Sequence, residues 1–289
     1  MITSLPCTLI RRCLALLMCL VAAWTVRAEE IYTFSVVPQF ERRMLFGIWQ
    51  PIVDELEKRT GAKFQLVTSL SVSDYENDAH RGLYDFIYAN PYLIPQVLDA
   101  YVPLIRDEKP LRGLLVVRKD SPYQKVEDLQ GKKLAVPSMS ALGASLLMRA
   151  ELDRQFKVKT EVVLAKTHSS VFLHVINTSR TRSVDARLIN GFADAGGSVQ
   201  KTFAEQPDRV RDSLRVLHQT GEVPSHPLAA HTRVPEALRT KIRQAFIDLS
   251  ATPEGRKLLG EIPMQKAVPA TPAEYKALGE LKLERYLKP

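Results

Sequence analysis

Strand-like and helix-like segments alternate along this chain, and that alternation confines it to α/β architectures. Residues 31–37 (IYTFSVV) are β-branched and aromatic and end at Pro38, which predicts a strand. Met44, Leu45, Ile48, Trp49, Ile52, Val53 and Leu56 then repeat with the 3.6-residue period of a helix face, and Gly61 stands where a C-terminal cap belongs. Strands are predicted at 63–69 and 84–89, with a helix over 74–83 between them and another opened by Asn90-Pro91. A second series follows: strands at 111–119, 133–136, 161–165 and 214–218, with helices ending at Gly131 and over 141–156 and 170–176. From Pro235 onward the pattern is helical. The alternation predicts a largely parallel sheet, and Ala193-Asp194-Ala195-Gly196-Gly197 reads as a tight turn into a helix.

The N-terminus has a different character. Arg11 and Arg12 precede an apolar run of 12 residues, Cys13 to Trp24, and Val26-Arg27-Ala28 places small residues where a signal peptidase cuts. The run is too short for a bilayer core of about 30 Å. Residues 1–28 are therefore expected to be a signal peptide cleaved near Ala28. Cys7, Cys13 and Cys19 all lie within it, so the mature chain has no cysteine and must be held by its core alone. Losing Arg11, Arg12 and Arg27 lowers the formal charge from +8 to +5. That mild excess suits a small anion. No basic run interleaved with aromatic residues is present, so nucleic acid is not an expected partner.

Several segments in order resemble the substrate-binding proteins of ABC importers for phosphate, phosphite and phosphonate. They are Val37-Pro38-Gln39-Phe40 with Trp49-Gln50-Pro51-Ile52, then 84–90 (YDFIYAN), 116–122 (VVRKDSP) and 128–133 (DLQGKK). His168-Ser169-Ser170, 193–197 (ADAGG) and 223–227 (VPSHP) complete the series. The resemblance implies a two-lobed periplasmic-binding-protein fold of type II, with two crossover segments and a central ligand cleft. Lobe 1 would comprise 29–112 plus 218–289, and lobe 2 would comprise 113–217. It also implies a monomer in the periplasm, a small anionic solute, and an ABC permease of the inner membrane as partner. A membrane sensor protein is the alternative partner.

Anions are held well by backbone N–H groups at helix starts, helped by hydroxyls. Ser138 and Ser140 precede the helix over 141–156, where they can cap it or face the cleft. His168 and Ser169 stand at another helix start. Tyr88 and Tyr92 flank the end of a strand, where ligands collect in α/β sheets. The resemblance gives Tyr88 a phenol contact to the ligand, whereas Tyr92 suits packing as well as binding. Gln39 and Phe40 follow the first strand at the same edge. Gly196 and Gly197 permit close backbone approach, and His226 completes the candidate set. Where aminoalkyl phosphonate binders carry carboxylates, this chain has glycine, serine and His226, so such a ligand is not expected.

His168 and His226 lack the short spacing and third donor of a metal site, so neither a metal nor a cofactor is expected. An exported hydrolase is the third functional class. The chain has no G-x-S-x-G elbow, no H-E-x-x-H and no mature cysteine nucleophile. Residues 177–188, which carry Arg180, Arg182 and Arg187, read as extra length in a solvated loop.

Overall fold

The computed structural model describes residues 30–38, 41–177, 192–262 and 264–288. The chain begins with β1 (Ile31–Val36), α1 (Arg42–Thr60), β2 (Lys63–Val67), α2 (Val72–His80), β3 (Phe86–Tyr88) and β4 (Tyr101–Asp107). It continues through β5 (Gly113–Arg118) and β6 (Lys133–Val136) to a π-helical turn (Leu142–Leu147) that runs directly into α3 (Met148–Arg154). Next come β7 (Glu161–Leu164), α4 (His168–Asn177), β8 (Ala195–Val199), α5 (Gln200–Ala204), α6 (Asp208–Arg211) and β9 (Leu214–Gln219). The last elements are β10 (Leu228–His231), α7 (Glu236–Ala251), α8 (Pro253–Leu259), β11 (Ala267–Pro269) and α9 (Pro272–Gly279).

The strands form two sheets, of order β11-β4-β10-β3-β1-β2 and β7-β6-β8-β5-β9. In the first sheet β2, β1 and β3 are parallel, while β10 runs against both β3 and β4. In the second, β7, β6 and β8 are parallel and β5 runs against β8 and β9. The chain leaves the first sheet after Asp107 and returns to it at Leu228. Its two crossings pair at Leu111 and Val223, whose N–H groups donate to each other's carbonyls at 2.8 and 3.1 Å. Each sheet carries its own apolar core. Phe34, Trp49, Ile52, Leu56 and Phe86 anchor the first, and Leu115, Leu134, Val136, Met148 and Leu152 anchor one cluster of the second. The result is a two-lobed α/β molecule.

Local rules account for the first helix. The periodic residues Leu45, Trp49, Ile52, Val53 and Leu56 are its buried stripe, and Gly61 (φ 72°) ends it by returning its N–H to Glu57 O.

Four expectations are corrected. The sheets are mixed rather than largely parallel, because β4, β10 and β11 add antiparallel pairings. Asn90-Pro91 leads only into a turn and one 3₁₀ segment, Ile94–Gln96. The helix expected over 141–156 begins with π geometry, since Ala141 O accepts from both Ser145 N (2.8 Å) and Leu146 N (3.1 Å). Finally, Gly196 and Gly197 lie inside strand β8, not in a turn. Their lack of a side chain serves packing. A Cβ on Gly197 would stand 1.9 Å from Ala144 O, and one on Gly196 would stand 2.6 Å from Val171 Cγ1.

Candidate functional site

His168 is the first residue of α4, directly after β7 and its loop. The helix start is capped by Thr167, whose Oγ1 accepts from Ser170 N at 3.1 Å and donates to Ser170 Oγ at 2.8 Å. This leaves the imidazole of His168 free to turn toward β8, where its Nδ1 lies 3.0 Å from Ser198 Oγ. Ser198 is fully buried. Burial pulls the pKa of His168 down to about 4. Ser169 is exposed.

His226 belongs to the return crossing, just before β10. Its ring stacks on Tyr88, with centroids 5.9 Å apart and planes 22° from parallel. Burial first, and then the proximity of His168, lower its pKa to about 4. The two imidazoles, one from each lobe, therefore sense each other's charge. Both are neutral at pH 7, and a neutral imidazole has one N–H to donate.

Tyr88 ends β3 and is 2 % exposed. Its backbone is fixed on two sides: its carbonyl accepts from Tyr75 Oη and Val37 N, both at 3.0 Å. Trp49 packs on the ring at a centroid distance of 4.6 Å. The phenol oxygen is buried and has no hydrogen-bond partner among the described residues. Its pKa is pushed well above the ordinary value by burial first, then by Asp107 and Tyr275.

The other candidate residues are distributed as follows. Ser138 is exposed and Ser140 half-buried in the loop before the π turn. Neither hydroxyl caps that turn, whose cap position is held by Ala141 without a side-chain bond. The carbonyl of Ser140 accepts from Asn90 Nδ2 at 3.1 Å, a hydrogen bond between the lobes. Asn90 Oδ1 in turn accepts from Tyr92 N at 3.1 Å. Tyr92 packs into an apolar cluster with Leu142, Leu146 and Leu283. Gly196 and Gly197 lie against α4 and the π turn. Gln39 and Phe40 lie outside the described residues, as do residues 1–28 and 178–188.

The structure thus brings His168, His226 and Tyr88 together and adds Ser198, Thr167 and Asn90, which the sequence reading did not single out. Only Thr167 had a local signal, as a threonine just before a helix. Among the described residues, no three or more His, Cys, Asp or Glu side chains are grouped to hold a metal. None of the described helices is long and apolar enough to cross a membrane.

Two mixed-sheet lobes joined by paired crossings, with hydrogen-bonding side chains meeting between them, define a two-lobed binding protein. Residues 34–275 match the family model of ABC transporter, phosphonate, periplasmic substrate-binding proteins, and the chain belongs to that family. Among solved structures it resembles the binding-protein component of an ABC phosphonate transporter from Pseudomonas aeruginosa. The TM-score is 0.69 at 15% identity, covering 89% of this chain and 88% of that one. It also resembles PhnD1 of Prochlorococcus marinus in complex with methylphosphonate (TM-score 0.71, 13% identity, 90% of this chain and 100% of that chain). A Xanthomonas citri protein bound to ATP is similar as well (TM-score 0.71, 16% identity, 89% of this chain and 98% of that chain). At these identities the likeness is one of fold. A curated relative, an ATP phosphoribosyltransferase of Desulfosudis oleivorans, is 26% identical over 153 residues, which is 53% of this chain and 44% of that protein. The matched family is one of substrate-binding proteins, which bind a small solute and serve a membrane permease.

Proposed function

We propose that the chain is a periplasmic receptor delivering a small oxyanion of the phosphate, phosphite and phosphonate class to an ABC permease of the inner membrane. The approach of His168 and His226 to within electrostatic range of each other across the lobes carries this reading. Ser198 stands beside the first ring, and the hydroxyl of Tyr88, unpartnered among the described residues, beside the second. An oxyanion needs several hydrogen-bond donors in a place poor in water, and these groups are donors already removed from water. The N–H groups at the start of α4 add to them, in the geometry that favours anions. Ser138 and Ser140 supply further hydroxyls from the loop before the π turn.

In this reading the lobes comprise 29–112 plus 218–289 and 113–217. They close on the solute by a hinge at the paired crossings. The signal peptide is removed near Ala28, and the mature protein acts as a monomer. Aminoalkyl phosphonates are excluded as solutes, because His226 stands where a carboxylate would be needed to meet the amine.

A thermal-shift series with phosphate, phosphite, methylphosphonate, sulfate and aminoethylphosphonate tests the reading. A solute at a hundred times its Kd stabilises the folded state by about 2.7 kcal/mol. At least one of the first three is expected to give that shift, and aminoethylphosphonate none. Silence from all three phosphorus oxyanions would remove the ligand class.

A further inference from the structure

Helix α9 belongs to the first lobe: Tyr275 is buried there and its Oη donates to Ser225 O at 2.8 Å. The chain then turns at Lys282, which has a left-handed φ of 48°. Beyond the turn it lies along α3, a helix of the second lobe. Arg154 donates to Leu281 O at 2.7 Å and Lys282 O at 3.1 Å, holding the turn itself. Arg149 donates to Tyr286 O at 2.5 Å and Lys288 O at 2.8 Å. Tyr286 Oη donates to Asp153 at 2.6 Å, and Arg285 pairs with the same carboxylate. Beneath these bonds Leu278, Leu283 and Tyr286 pack with Leu142, Leu146 and Leu147 of the π turn.

Segment 280–288 is therefore a third link between the lobes. Its apolar cluster includes Val223 and Leu111, the two residues at which the crossings pair. Contacts beside a hinge axis move little when the lobes rotate, so this link can persist while the cleft opens and closes. Arg149 also lies over the Tyr286 ring, 5.9 Å from its centroid, and has one contact outside segment 280–288. The same guanidinium group reaches Met139 Sδ at 4.0 Å, in the loop that carries Ser138 and Ser140. Arg154 makes no contact of that kind among those described.

We propose that Arg149 is a positioning residue for solute binding, which fixes the 138–140 loop by tying it to segment 280–288. This rests on the reading that the loop faces the solute. A planar group with forked donors is needed because it must satisfy two carbonyls and meet the thioether at once. A lysine in its place brings one point charge and cannot do all three.

Three variants of the mature protein separate this role from a merely structural one: Arg149→Ala, Arg149→Lys and Arg154→Ala. Amide hydrogen exchange is measured first, without solute. In both Arg149 variants exchange over residues 138–146 is expected to rise about tenfold or more, with strand 86–88 unchanged. Arg154→Ala loosens 280–288 but leaves 138–146 within about twofold of the parent. Titration with methylphosphonate, phosphite and phosphate is measured second. Kd for whichever anion binds is expected to rise about tenfold in both Arg149 variants and to stay within about twofold in Arg154→Ala. Unchanged loop exchange in Arg149→Ala overturns the proposal, as does equal loop exchange in the Arg149 and Arg154 variants. If the parent binds none of the three anions, the functional reading fails, and the exchange measurement still decides whether Arg149 positions the loop. Should Arg149→Ala not fold, Arg149→Lys carries the comparison.

Discussion

The ring of His226 lies against the ring of Tyr88, 5.9 Å between centroids, and Trp49 packs on that same tyrosine at 4.6 Å. Packing of this kind fixes the phenol and dehydrates it. It also leaves the hydroxyl buried without a partner among the described residues. A buried hydroxyl lacking a hydrogen bond costs about 1–3 kcal/mol, so its presence needs a reason outside the fold. A ligand that accepts the hydrogen bond supplies one. Sites that sacrifice stability for binding carry this signature.

Tyr88→Phe keeps the ring and removes the unsatisfied oxygen. The solute-free variant is expected to be as stable as the parent or more so, by roughly 0–2 kcal/mol. Its affinity for the solute is expected to fall about tenfold, for the loss of one hydrogen bond to a charged group. Urea unfolding and calorimetric titration check the two halves. A clear loss of stability in the variant would mean that the hydroxyl does serve the fold.

The paired histidines give the solute-free protein a defined acid response. Burial holds the pKa of His168 and of His226 at about 4, against 6.5 for the free side chain. Between those values the unfolded chain binds protons that the folded chain does not. The stability contributed by the neutral pair is complete above about pH 6.5 and is lost as pH falls toward 4. Urea midpoints at pH 7.5 and 4.5 should therefore differ more in the parent than in a His168→Gln, His226→Gln double variant. Some slope remains in the variant, because burial also lowers the pKa of His231. Equal slopes in the two proteins would show that neither ring is held neutral by the fold.

Much of this architecture is legible in the sequence, for a physical reason. Strands β1, β2, β6 and β7 each lie in a β-α unit whose apolar period changes from two to 3.6, and that change is a local property. The strands that were missed owe their conformation to neighbours. Strand β10 (LAAH) has little intrinsic β-propensity and is a strand because β3 and β4 flank it. Pro103 disguises β4. Gly196-Gly197 reads as a turn by composition, yet Ala144 O and Val171 press on the strand there and leave no room for a side chain. The same limit applies to the site. His168, Tyr88 and His226 stand out by residue type and position, but their convergence is a property of how the lobes are set. Ser198 carries no local signal, since it is a small residue in a buried strand.

The glycines allow packing and backbone conformation to be told apart. A methyl group at Gly197 would meet the backbone oxygen of Ala144 at 1.9 Å, which no rotamer change relieves. Gly197→Ala is expected to cost roughly 3 kcal/mol or more, through displacement of the π turn. Gly61 has open space around it and needs only its φ of 72°. Gly61→Ala should cost about 1–2 kcal/mol. Chemical denaturation of both variants gives the comparison, and equal costs would contradict the packing argument.

Asn90 offers the most direct test of how the lobes are held. Its Nδ2 reaches across to Ser140 O at 3.1 Å, and its Oδ1 is fixed by Tyr92 N, so the side-chain amide is oriented before it crosses. Asn90→Ala removes one bond between lobes and the local bond from Tyr92 N, and leaves both apolar cores intact. Its effect on unfolding should stay at about 1–3 kcal/mol, the usual net value of two hydrogen bonds. Its effect on shape should be larger, because the bond exists only where the lobes approach. Small-angle scattering of the solute-free variant is expected to give a greater radius of gyration than the parent, and saturating solute should return it to the parent's value. A variant with the parent's radius throughout would place the control of closure elsewhere, in the paired crossings at Leu111 and Val223 or in the contacts of segment 280–288.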